Sequence, residues 1–238
     1  MLIPSDRHTA ADLELWKELE AADLRRDVCV MTPMLLLNEF TKRPCYCSVS
    51  WGKDSVCIAS FIGLYYPQVP LVWVRPEGAE MPGCEEVRDV FLKRFPKLVY
   101  HEPVCPAEIW HDESVSNQTA FRPAVDAVGT TRRIVGVRAD ESGKRKLSMR
   151  HHGQATEQVC RPIGWLKVDD VFALLAQQRM PVHPAYAMLG GGRYDRRHLR
   201  VDSLGGPWAD SFGRNEWEQE YFQDVINRRA YCASQSNR

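Results

Sequence analysis

Ser50-Trp51-Gly52-Lys53-Asp54-Ser55 places two hydroxyls, a cation, a carboxylate and a glycine within six residues. An apolar run precedes the segment and an apolar helical pattern follows it, so it reads as the turn between a strand and a helix. In that setting the main-chain N–H groups of the turn and of the helix N-terminus converge on one spot. Ser50 and Ser55 add hydroxyl donors, and Gly52 lets the backbone approach a ligand closely. A polyphosphate fits such a cradle. Lys53 can neutralise phosphate charge, or charge developing at an α-phosphate, and Asp54 can hold Mg²⁺ directly or through water. The competing reading is a polar strand-to-helix turn with a serine cap.

The surrounding elements must carry that turn at the right end of a sheet. Residues 11–40 read as helical, with Leu13, Trp16, Leu19 and Ala22 on one face and a break at Thr32-Pro33 that reads as a new N-cap and first turn, packed over a sheet edge. Residues 45–49 form a strand, 54–66 a helix, 69–74 a second strand, 87–95 a helix and 98–100 a third strand. A fourth strand over 133–137 ends in a polar loop over 138–145, and 160–165 leads into a helix over 168–179 that Pro181 and Pro184 stop. Residues 187–213, rich in Gly, Arg and Asp, read as a mobile loop. A last helix starts near Asn215, with Glu218 completing a capping box and Trp217, Tyr221 and Val225 on one face. The alternation predicts an α/β fold: a doubly wound, mostly parallel, Rossmann-like sheet flanked by helices, with N-terminal helices and a C-terminal loop-plus-helix extension. The expected division is a helical segment over 1–40, a nucleotide-binding α/β domain over 41–190, and a basic loop and helix over 191–238.

Three segments together resemble the PAPS reductase family of the N-type ATP pyrophosphatase, or adenine nucleotide alpha-hydrolase-like, superfamily. Ser50 to Ser55 resembles its PP-loop, S-G-G-x-D-S, with Trp51 in place of the first glycine, where the indole either stacks on a base or closes the pocket. Val135-Gly136-Val137-Arg138-Ala139-Asp140-Glu141-Ser142, followed by Arg145, resembles the G-[IV]-R-x-x-[DE]-S loop. Arg161-Pro162-Ile163-Gly164-Trp165, then Asp169-Asp170-Val171 and Pro181-Val182-His183-Pro184-Ala185-Tyr186, resembles the stretch P-[IL]-x-x-W…D-V…P-x-x-P-x-Y. Glu80-Met81-Pro82 stands where the family has a short acidic loop. The resemblance spans about residues 40–190.

It implies a site at the carboxyl ends of the strands that binds ATP with Mg²⁺ on Asp54, with the adenine on backbone near Val72 and Val74, and Gly136 in the nucleotide site. It also implies that Arg138 and Arg145 face a substrate anion, for which the guanidinium fork is suited. Lys53 brings the loop closer to relatives that cleave ATP between the α- and β-phosphates, so Lys53, Asp54, Arg138 and Arg145 are the candidate catalytic residues. The family's reductases carry a C-terminal E-C-G-[IL]-H motif that this chain lacks. Cys232 stands in a comparable place, within Tyr231-Cys232-Ala233, without the flanking Glu, Gly or His.

Composition bounds the rest. In 238 residues, Lys+Arg and Asp+Glu are both 31, so any nucleic-acid contact must be local. The cluster Arg193, Arg196, Arg197, His198 and Arg200 either folds over the phosphates, touches a polyanionic partner or is a flexible solvated loop. His151 and His152 read as surface residues, with acid–base work as the alternative. The eight cysteines are scattered without a C-x-x-C pair, which argues for buried free thiols in a reducing compartment and against a structural zinc. The absence of a long apolar run points to the cytoplasm and away from membranes. The expected function is adenylylation of a small-molecule or nucleic-acid substrate with release of pyrophosphate, or accessory nucleotide binding. Relatives of this compact kind, on phages, plasmids and beside CRISPR loci, suggest a mobile-element or defence role. The alternatives are a sulfonucleotide reductase using Cys232 and a non-enzymatic partner of a ribonucleoprotein.

Overall fold

A computed structural model describes residues 1–76, 80–106, 117–201, 204 and 214–236. Five parallel strands form the main sheet: β1 (Tyr46–Ser48), β2 (Leu71–Val72), β4 (Tyr100–His101), β6 (Arg133–Ile134) and β7 (Val159–Cys160), in the order β4-β2-β1-β6-β7. β3 (Arg75–Pro76) and β5 (Val104–Cys105) pair in a separate two-stranded sheet. Residues 69–74 thus do not form one strand, and β7 adds a pairing to β6, Arg133 opposite Val159, that the sequence pattern did not mark.

Alternation along the strands explains the double winding. Cys47, Val49, Leu71 and Trp73 enter the larger core, whereas Tyr46, Val72 and Val74 point to a smaller cluster with Cys105, Ala124 and Phe121. Both faces of the sheet are therefore covered. α3 (Lys53–Tyr65) packs on the larger core and buries nine residues from Lys53 to Ile62. The strand order reverses between β1 and β6, and at such a switch point the crossovers leave to opposite sides and open a crevice beyond the strands' carboxyl ends.

The N-terminal segment divides as expected, but its first helix buries a different face. α1 (Ala10–Leu24) and α2 (Met31–Phe40) break at 25–30, and Thr32-Pro33 lies in the first turn of α2. The face α1 buries carries Asp12, Trp16 and Asp23, with Leu13 exposed, and it packs on the helix Val168–Gln177 through Trp16 against Phe172. Two carboxylates take the buried positions because each is saturated by partners. Asp12 accepts from the Leu189 and Gly191 amides and the Tyr221 hydroxyl at 3.0, 3.1 and 2.9 Å. Hydrogen bonding of this kind outweighs burial and holds its carboxyl below the ordinary range. Asp23 meets Arg196.

The stretch read as a mobile loop is anchored as far as it is described. Met188, Leu189, Arg196 and Leu199 are buried. Residues 202, 203 and 205–213 lie outside the described residues. The final helix, Arg214–Ser236, contains Asn215 in its first turn, and Glu218 pairs with Arg214. Trp217 and Tyr221 are buried as expected. The polar loop over 138–145 is a 3-10 turn, Ala139–Glu141, leading into the helix Gly143–His152, whose last turn carries the exposed His151 and His152. Among the described residues no helix is long and apolar enough to cross a membrane. Six of the described cysteines are buried free thiols, and Cys29 is exposed.

Candidate functional site

The loop after β1 is held by its own serine. The Ser50 amide donates to Ser55 Oγ at 3.2 Å, and Ser55 Oγ donates to the Gly52 carbonyl at 3.0 Å. Between them Trp51 adopts φ 59°, the left-handed region that favours glycine. A bulky residue there is rare, and burial explains it. The indole is 0% exposed and packs at 5.7–6.4 Å from Phe91, Tyr100 and Trp73. Trp51 thus supports the loop from the core below, and its ring is in no position to stack on a base from the cavity side.

Gly52 caps α3 with extended backbone, and its lack of a side chain is set by space. A Cβ there would stand 3.2 Å from the Tyr186 hydroxyl and 3.3 Å from Val201 Cβ. The Tyr186 hydroxyl accepts the Lys53 amide at 3.1 Å. Gly136, just past β6, is confined more tightly, since a Cβ would come within 2.7 Å of the Asp54 carbonyl carbon. Its role is thus to let the end of β6 press on the first turn of α3.

Lys53, Asp54 and Arg138 form one buried cluster. Asp54 Oδ2 accepts from Lys53 Nζ at 2.8 Å and Oδ1 from Arg138 Nε at 2.6 Å. Lys53 and Arg138 are each 3% exposed and Asp54 13%. Burial opposes every one of these charges, but the opposite charges win. The Asp54 carboxyl is held below its ordinary value by Lys53 and Arg138, and Asp54 holds both cations above theirs. Arg138 Nη1 is buried with no hydrogen-bond partner among the described residues. Arg138 is therefore part of the electrostatics of the Ser50 to Ser55 turn and not a surface arginine beside it.

A cavity of about 320 Å³ opens over this cluster at the β1/β6 switch point. Ser50, Gly52, Lys53, Asp54 and Ser55 floor it, Trp73 and Val74 bound one end, and Val135 to Val137 the other side. Val72 lies beneath in the smaller cluster, and its carbonyl accepts the Val49 amide at 3.0 Å. Arg145 and Arg200 reach the rim. Arg145 pairs with Glu141, which also accepts the Arg138 amide at 3.0 Å, and Arg200 donates to the Glu141 carbonyl at 3.0 Å.

Glu80, Cys84 and Tyr186 line the cavity without having been assigned to it from sequence, and Arg200 lines it from the basic cluster for which folding over the phosphates was one reading. Tyr186 had a signal, since it closes the P-x-x-P-x-Y stretch. Of the basic cluster, only Arg200 lines the cavity. Arg193 pairs with Glu220, Arg197 with Asp195, and Arg196 with Asp23.

The metal expected on Asp54 would meet a carboxylate that already pairs with two cations. Both carboxylate oxygens are taken by cations, and among the described residues no group of three His, Cys, Asp or Glu side chains converges to hold an ion.

No protein-family model matches the chain, and no curated protein matches its sequence. Among solved structures, phosphoadenylyl-sulfate (PAPS) reductase from Candida auris, in a phosphate complex, is similar over 80% of this chain and 95% of its own, with a TM-score of 0.51 and 13% identity. The U34-tRNA thiolase NcsA from Methanococcus maripaludis, with its 4Fe-4S cluster, is similar over 72% of this chain and 65% of its own, with a TM-score of 0.42 and 15% identity. The first match establishes a PAPS reductase-like, Rossmann-like fold.

Proposed function

We propose that this chain is a PP-loop protein of the PAPS reductase-like kind that binds ATP in the switch-point cavity and transfers its adenylyl group to an acceptor. The observation that carries the reading is the Lys53–Asp54–Arg138 cluster at the start of α3, under a cavity floored by the Ser50 to Ser55 loop. The first-turn amides of α3 have no intrahelical acceptors, and with two cations beneath them they suit a phosphate chain. The apolar end at Trp73 and Val74 suits a base.

In the transfer, an acceptor oxygen or nitrogen attacks the α-phosphorus, the bond to the bridging oxygen breaks, pyrophosphate leaves and the acceptor's proton passes to water. Lys53 and Arg138 offset charge building on the α-phosphate and the departing pyrophosphate. Arg145 and Arg200, at the rim, meet an anionic acceptor. Magnesium belongs to this proposal only as an ion carried by the phosphates themselves.

Titration calorimetry with ATP, GTP and AMP, joined to an assay for pyrophosphate release, tests the reading. ATP binding well above that of AMP is expected. Absence of binding by any adenine nucleotide overturns it. Sulfonucleotide reduction through Cys232 is a second reading, favoured by one contact. Arg229 donates to the carbonyl of Glu80, a cavity-lining residue, at 2.6 Å, so the helix that bears Cys232 three residues later touches the rim. Thioredoxin-dependent sulfite release that disappears in Cys232→Ser selects that reading.

A further inference from the structure

We infer that Asp54 is a counter-ion that poises Lys53 and Arg138 for phosphate, and that it is not the ligand of a catalytic metal; the inference rests on the nucleotide-binding reading. Mg²⁺ demands octahedral oxygen ligands at about 2.0–2.1 Å and keeps several of its waters. Each Asp54 oxygen already accepts from a cation, Oδ1 from Arg138 Nε at 2.6 Å and Oδ2 from Lys53 Nζ at 2.8 Å. An ion approaching either oxygen would also meet two buried cations, and like charges in a dry site repel strongly. Of the neighbouring carboxylates at the cavity, Glu141 pairs with Arg145 and accepts the Arg138 amide, and Glu80 pairs with Arg75 through Oε1 while its Oε2 is buried without a partner among the described residues.

The same geometry favours an anion. One carboxylate between two cations leaves the cluster with a surplus positive charge, and Arg138 Nη1 is a buried donor with no partner among the described residues. Lys53 lines the cavity and is the cation a phosphate oxygen reaches, with Arg138 adding its charge from behind through Asp54. Asp54 then fixes the rotamers of both long side chains before the ligand arrives, which spares the ligand the entropy of ordering them. Asp54 is in these terms a positioning residue.

The two roles differ in how Asp54 couples to magnesium. The experiment measures the ATP dissociation constant by calorimetry in excess Mg²⁺ and in excess EDTA, for wild type and Asp54→Asn. The readout is the ratio of the two constants, which a merely structural defect would not change. The expected ratio differs by less than about twofold between the two proteins, whatever Asp54→Asn does to affinity itself. A gain from Mg²⁺ of about tenfold or more in wild type that vanishes in Asp54→Asn is the signature of a lost metal ligand and overturns the inference.

Lys53→Met supplies a second arm should Asp54→Asn not fold. A counter-ion role predicts weaker ATP binding by the same factor in both solutions. A metal role predicts that freeing one Asp54 oxygen strengthens binding in Mg²⁺ alone, and that result also overturns the inference. If wild type binds no adenine nucleotide in either solution, the nucleotide reading falls and this one with it. ATP binding accompanied by a magnesium gain lost in Asp54→Asn sinks the inference alone.

Discussion

The Arg196 guanidinium and the Asp23 carboxylate meet in two parallel hydrogen bonds of 2.7 Å each, with both side chains 5% exposed. Arg196 also lies 4.2 Å above the Phe172 ring and 5.5 Å from that of Trp16, so it joins the segment after the 3-10 turn Gly190–Gly192 to α1 and to the helix Val168–Gln177. A residue that reads as part of a basic surface cluster is a buried tie.

Removing that guanidinium leaves a buried carboxylate uncompensated. Arg196→Met is expected to destabilise the chain by about 3–5 kcal/mol in urea unfolding, and Asp23→Leu combined with Arg196→Met by less than Arg196→Met alone. Arg193→Ala and Arg197→Ala, whose pairs with Glu220 and Asp195 lie at the surface, should stay within about 0.5 kcal/mol. Equal small effects for all three arginines would return Arg196 to the solvated loop.

Trp51 sets two opposed effects against each other. Truncating a buried tryptophan typically costs about 3–5 kcal/mol, whereas relief of a left-handed backbone returns about 1–2 kcal/mol to glycine and nothing to alanine. Trp51→Gly is therefore expected to lose about 2 kcal/mol and Trp51→Ala about 4 kcal/mol. Glycine beats alanine at few buried positions, which makes the order diagnostic. An alanine variant as stable as the glycine variant would show that the φ of 59° carries no strain in solution.

His183 predicts a pH dependence. The ring is 0% exposed and its Nδ1 accepts the Ala185 amide at 3.1 Å. Burial pushes its pKa down to about 3. Between that value and the unfolded value of about 6.5, the unfolded chain binds the extra proton, so stability is full above about pH 6.5 and falls as pH drops toward 3. The loss is about 1.4 kcal/mol per pH unit, or about 2 kcal/mol from pH 6.5 to 5. The substitution His183→Asn keeps an acceptor for the Ala185 amide and introduces a side chain that cannot titrate. Unfolding curves of wild type and His183→Asn that run parallel between pH 7 and 5 would remove His183 as the cause.

The central architecture was legible because its signals are local. Strand-to-helix alternation and the spacing of Ser50 to Ser55 place the loop between β1 and α3, where the structure has it. The missing pieces depend on distant partners. The buried face of α1 holds Asp12 and Asp23, which no apolar periodicity can mark, and each depends there on partners far along the chain, Leu189, Gly191 and Tyr221 for Asp12, beside its local capping box with Thr9, and Arg196 for Asp23. β7 is two residues long and follows a polar stretch, too little for a period-two pattern. At the site, residue types were readable but their pairing was not. Arg138 lies 84 residues from Asp54, and only the packing of Gly136 on the first turn of α3 brings the two together.

That packing separates the two arginines which the sequence treats alike. Arg138 shares Asp54 with Lys53 behind the cavity lining, whereas Arg145 itself lines the cavity from the helix Gly143–His152, 41% exposed and paired with Glu141. Loss of a charge-assisted contact to phosphate costs about 1.5–3 kcal/mol, or roughly 10- to 150-fold in affinity. Arg138→Ala is thus expected to weaken ATP binding by at least about tenfold, comparably to Lys53→Ala. It also leaves Asp54 with Lys53 as its one remaining cation, so a lowered melting temperature should accompany it. Arg145→Ala should change ATP affinity by less than about threefold, because Arg145 is 41% exposed, where solvent screens its charge, and it makes no contact with Asp54. Its effect is expected on the acceptor, as slower product formation at unchanged ATP affinity. Calorimetry on the three variants beside wild type checks the order. Should Arg145→Ala lose ATP as fully as Lys53→Ala while Arg138→Ala does not, the phosphates lie at the rim and the buried cluster serves only the fold.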